Sequence, residues 1–86
     1  MVKRITFFGR VQGVGLRAAA EMLAKKYNIF GWVKNNDDGS VSLVVEGEEE
    51  NIKKVINHLK RFFQDKIERI DESEEEEKDF REFEIR

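Results

Sequence analysis

The chain contains no cysteine, so it can hold no disulfide and offers no thiol nucleophile. It has one histidine, His58, and no metal-type cluster of side chains, so no zinc site is expected. No apolar run approaches the length of a membrane span, and the amino terminus runs into strand-like sequence without a signal-peptide pattern. A cytoplasmic location and no membrane partner are expected. A basic excess is also lacking: 16 Lys and Arg against 18 Asp and Glu leave a net charge of -2, without the basic footprint on which nucleic-acid binding draws, so no nucleic-acid partner is expected. Eighty-six residues make one domain, expected to span residues 1–86, that buries only roughly 60–65% of its extended surface.

The most telling absence is local. Between Gly9 and Arg17 the sequence reads Gly9-Arg10-Val11-Gln12-Gly13-Val14-Gly15-Leu16-Arg17, with no Ser, Thr, Asp or Asn to cap the amphipathic helix that follows. The first amides of a helix have no internal partner and lie at the positive end of its macrodipole. Arg17 stands where an acidic residue would be favoured, which costs stability unless an anion binds. Three glycines, Gly9, Gly13 and Gly15, let the backbone turn its amides toward one point, as phosphate cradles do. Arg17 would add a planar fork matched to phosphate oxygens. The candidate phosphate loop therefore comprises the backbone of Arg10, Val11, Gln12, Gly13, Val14, Gly15 and Leu16, with phosphate or sulfate as its ligand. No Gly-Lys-Ser/Thr follows, so it is not a Walker loop, and a dinucleotide fingerprint lacks its third glycine.

Alternation over Val2 to Phe8 predicts a strand with Ile5 and Phe7 on one face. The stripe Leu16, Ala19, Ala20, Leu23 and Tyr27 predicts a helix from about Arg17 to Tyr27, with small alanines implying close approach to a sheet. Strands over Phe30 to Asn35 and Val41 to Glu46 flank an Asp-Gly turn, the signal of a hairpin. Glu48 to Phe63 reads as a second helix, acidic at its start and basic at its end. Lys66 to Ile70 carries apolar residues three apart, which plain alternation does not predict and which imply a local irregularity in any strand formed there. Asp71 to Asp79 is expected to be a solvated acidic loop before a short strand at Phe83 and Ile85. This is the order of an α+β, ferredoxin-like βαββαβ sandwich, two helices on one face of a four- to five-stranded antiparallel sheet. Such a fold serves unrelated functions.

The run Gly9 to Arg17 resembles the acylphosphatase signature G-x-V-Q-G-V-x-[aromatic]-R. The stretch from Gly31-Trp32-Val33-Lys34-Asn35 through Asp38-Gly39 resembles the family's second block. The resemblance covers nearly the whole chain, and it places Asn35 beside the phosphate loop. The sequence departs from the family pattern at Leu16, where an aromatic is usual, and at Ala18-Ala19-Ala20, where bulkier residues are common. Arg17 and Asn35 are both kept.

Arg17 and Asn35 are thus the expected catalytic residues. A neutral amide is no useful base, so the plausible role of Asn35 is to orient a water for in-line attack on phosphorus. Such a modest toolkit selects a good leaving group. A carboxylate, whose conjugate acid has a pKa of about 4 to 5, departs without a general acid, whereas an alkoxide would call for a metal or an acid. The expected function is metal-independent, cofactor-free hydrolysis of a small-molecule acyl phosphate to carboxylate and inorganic phosphate, a reaction the resemblance also implies; a monomer is expected. Trp32 reads as packing, while Arg10 and His58 read as surface residues.

Overall fold

The computed structural model describes residues 1–86, with element order β1 (Val2–Gly9), α1 (Leu16–Lys26), β2 (Phe30–Asn35), β3 (Val41–Glu46), α2 (Glu49–Phe62), β4 (Ile67–Glu75) and β5 (Phe83–Ile85). Five strands form one sheet in the order β4-β1-β3-β2-β5. Alternation sorts each strand into two faces: Ile5, Phe7, Val33, Leu43 and Val45 point to the core, fully buried. Against them pack Leu16, Ala20, Leu23 and Ala24 of α1 and Ile52, Val55, Ile56 and Leu59 of α2, giving the two-layer, ferredoxin-like arrangement. The alanines Ala20 and Ala24, both without exposed surface, let α1 lie close to the sheet.

Two expectations about the last third of the chain need correction. The acidic stretch is not a loop throughout, because Asp71 to Glu75 continues β4 along the edge of β1. Two of its charges are matched across the chain there: Glu72 meets Lys3 at 3.5 Å and Lys60 of α2 at 3.3 Å, and Glu75 pairs with Arg4. An edge strand needs only one hydrogen-bonded side, and charges on such a strand discourage further pairing. The expected irregularity does occur. The register slips between Phe8 and Gly9, so that Ile67 and Ile70, three apart, both pack on the core.

The second correction is that the sheet is mixed, since β5 runs parallel to β2. After Glu75, which pairs with Val2, the chain crosses to the start of β2 and pairs Phe83 with Gly31. It never travels the length of the sheet, so β5 must run in the same direction as β2. Glu46 guides the crossing: its carboxylate accepts the backbone N–H of Phe80 at 2.8 Å and of Lys78 at 3.2 Å. Burial works to raise this carboxyl, but those amides, with that of Asp79, outweigh it and hold the group below its ordinary value.

His58 also differs from expectation. Rather than facing solvent alone, it lies 3.2 Å from the Tyr27 hydroxyl and stacks between Tyr27 and Phe62, linking the two helices. Helical periodicity puts it on the polar side of the helix and cannot show that Tyr27, at the end of α1, stands across from it.

Candidate active site

The loop between β1 and α1 is pinned from below. Val11 and Leu16 are each 1% exposed, and Val14 packs against the core cluster. This apolar anchoring turns the intervening glycines outward, with Gly13 at φ 75° and Gly15 at φ 90°. Gly15 is the residue preceding α1 and holds a left-handed conformation that costs an L side chain roughly 1–2 kcal/mol. No side chain caps the helix and no acidic residue stands in its first turn. From Val11 through Gly15 no amide finds an acceptor in the protein, and the first helical bond is that from Ala19 N–H to the Gly15 carbonyl. A continuous run of unpaired donors therefore lies at the positive end of α1.

Across from them stands the hairpin. Asn35 ends β2, and Asn36 to Ser40 make a turn closed by hydrogen bonds from Asn36 N–H to the Ser40 carbonyl and from Gly39 N–H to the Asn36 carbonyl. The Ser40 hydroxyl and amide both donate to Asp38, whose carboxyl is held below its usual range by those bonds. Asn36 steadies the base of the turn through Ser40 and Ser42.

Gln12 ties the two parts together. Its side-chain amide donates to the carbonyls of Asn36 at 2.8 Å and Ser40 at 2.9 Å, so the loop and the end of β2 hold one spacing. Sequence reading treated Gln12 as a backbone contributor; the added signal was that it is the loop's only amide side chain.

Between loop and hairpin lies a cavity of about 220 Å³ lined by Val11, Gly13, Gly15, Leu16, Arg17, Ala18, Asn35 and Ile85. Arg17 and Asn35 thus line one space. Arg17 is half-buried and has no carboxylate within ion-pairing distance. Asn35 presents a buried Oδ1 that no donor of the protein reaches. Leaving such an acceptor unsatisfied costs about 1–3 kcal/mol, so it calls for an explanation.

Arg10 does not join the cradle. Its amide donates to the Lys66 carbonyl at 3.0 Å, extending the pairing of β1 with β4, and its side chain is exposed and away from the cavity. Periodicity could not show that strand pairing runs one residue past Gly9. Ile85 was missed as a cavity residue because its position follows from the parallel pairing of β5. Trp32 lies on the other face of the sheet, with the guanidinium groups of Arg4 and Arg86 over its ring at 5.4 and 5.0 Å.

The acylphosphatase family model matches residues 3–85. The acylphosphatase of Picrophilus torridus is 44% identical over 80 residues, spanning 93% of this chain and 95% of that one. The crystal structure of acylphosphatase from Bacillus subtilis superposes with a TM-score of 0.86 at 35% identity, covering 99% of this chain and 98% of the other. A full-length HypF, solved in a phosphate- and nucleotide-bound form, matches 98% of this chain with only 11% of its own length, at 37% identity and a TM-score of 0.82. With the family model, a relative matched over almost its full length and a shared structure in agreement, this chain belongs to the acylphosphatase family.

Proposed function

We propose that the chain hydrolyses acyl phosphates to a carboxylate and inorganic phosphate, with Arg17 and the loop amides holding the phosphoryl group and Asn35 aiming the water. Family membership supports the reaction. The assignment of roles rests on one observation: an unpaired guanidinium and an unsatisfied amide oxygen line the same cavity, above a helix start with no cap.

The phosphoryl dianion sits against the amides from Val11 to Gly15 and the first turn of α1, its charge met by the helix dipole and by two parallel N–H contacts from Arg17. The Oδ1 of Asn35 accepts a hydrogen bond from a water and holds its lone pair toward phosphorus, opposite the acyl oxygen. The water oxygen forms the new P–O bond as the bond to the acyl oxygen breaks, and the electron pair leaves on the carboxylate. The water's proton passes to a phosphate oxygen. No general acid is called for, because carboxylic acids ionise near pKa 4, and the loop donors supply the stabilisation that develops along the path.

The same proposal takes the 86 residues as one working unit, a cytoplasmic monomer acting on a small molecule with no membrane or nucleic-acid partner and with phosphate or sulfate as a simple ligand. No helix is long and apolar enough to cross a membrane. Benzoyl phosphate followed by absorbance in the presence of a chelator tests it. Turnover with inorganic phosphate as a competitive inhibitor is expected; an inert protein, or phosphate that does not compete, would overturn the reading.

A further inference from the structure

The cavity has two chemically different ends. Gly13, Gly15, Arg17 and Asn35 supply donors, one cation and one acceptor, whereas the remaining lining is hydrocarbon. Of the apolar residues, Val11 and Leu16 are almost wholly buried beneath the loop and form the floor. The apolar surface open to a ligand belongs to Ala18, exposed in the first turn of α1, and Ile85, 40% exposed on β5. Ile85 pairs with Val33, two residues before Asn35 on the adjacent strand, so it stands at the sheet side of the mouth while Ala18 stands at the helix side. At about 220 Å³ the space falls below the roughly 300–1,000 Å³ that encloses a drug-sized ligand. A phosphoryl group fits inside, and a larger acyl group must extend over this lip.

No charged residue lines the cavity other than Arg17. Within the cavity an acyl chain leaving the phosphate therefore meets methyl groups and no second cation that could pair with a carboxylate or a further phosphate of its own. We infer that Ile85 and Ala18 form an acyl subsite that favours neutral, apolar acyl phosphates, aromatic or branched, over acyl groups bearing a negative charge. The inference rests on the proposed hydrolysis and specifies its substrate class. Small Ala18 leaves the lip open on the helix side, and Ile85 supplies the larger contact. A hydrophobic contact of one or two methylenes discriminates modestly, by about 10- to 200-fold at full burial, and a half-exposed lip stands at the lower end of that range.

The test compares benzoyl, acetyl and succinyl phosphate on the wild type and on Ile85→Ala and Ile85→Lys, with inhibition by inorganic phosphate measured throughout. For Ile85→Ala, KM for benzoyl phosphate is expected to rise about 5- to 10-fold, while acetyl phosphate kinetics and phosphate inhibition stay within about twofold. Ile85→Lys is expected to raise kcat/KM for succinyl phosphate relative to benzoyl phosphate by at least about tenfold. Because Ile85 is a surface position, unchanged phosphate inhibition also certifies that each variant folds. If the wild type turns over all three substrates and neither variant moves their ratios, the subsite is overturned and the hydrolase reading stands. A wild type inert toward all three overturns both.

Discussion

Two arginines in this molecule are half-buried, and their surroundings differ sharply. Arg4, on the open face of the sheet, pairs with Glu75 and lies over Trp32. Arg17 has no carboxylate within ion-pairing distance and projects into a cavity at the positive end of α1. The same face as Arg4 carries two more satisfied arginines: Arg69 meets Asp71 at 3.4 Å and covers Phe8 at 4.0 Å, and Arg86 pairs with Glu84. Arginines beside aromatics can mark a nucleic-acid platform, but here each cation is matched by an adjacent acid, and the pairs are ordinary surface complementarity worth about 0–1 kcal/mol each. A partly desolvated cation facing a helix dipole of like sign is unfavourable in isolation. A dianion reverses the sign of both interactions, and the contrast teaches that the function is to be sought where the charges do not balance.

The comparison breaks most visibly if Arg17 is removed. Arg17→Ala is expected to lower kcat/KM for benzoyl phosphate by more than about 10³-fold and to abolish phosphate binding, since it deletes a charge and two directional contacts together. Calorimetric titration with phosphate reads the second effect, and retained binding would show that the amides suffice alone. Asn35→Ala comes next, with kcat down about 10²- to 10³-fold and phosphate affinity within about twofold of wild type. Its stability should not fall, because the substitution removes an acceptor that no group of the protein satisfies; thermal unfolding checks this, and a lowered midpoint would mark Asn35 as a structural residue. The smallest effect belongs to the other arginine. Arg4→Met is expected to leave kinetics unchanged and to shift unfolding by less than about 1 kcal/mol, so a loss of activity there would erase the distinction between the two cations.

Much of this could be read from residues alone, for identifiable reasons. The hairpin strands fall where alternation and the Asp-Gly turn put them, since both signals are local. Arg17 was legible because a missing cap and a misplaced charge are local facts too. What escaped depended on partners distant in sequence. Asp71 to Glu75 reads as solvated until Lys3, Arg4 and Lys60 are set across from it. The parallel direction of β5 follows from the crossing held by Glu46, and the position of Ile85 follows from that direction. Arg10 was assigned to the cradle because nothing nearby in the chain reveals that Lys66 takes its amide.

The pair of hydrogen bonds that the Gln12 side-chain amide donates to the carbonyls of Asn36 and Ser40 has a thermodynamic consequence. Donors and acceptor are coupled before any substrate arrives, because the loop cannot widen without breaking these bonds or dragging the turn along. The entropy of assembling the receptacle is thus spent once, during folding, and is not charged again at each encounter. Affinity for so small an anion can then reflect the contacts themselves, undiminished by reorganisation of the vessel.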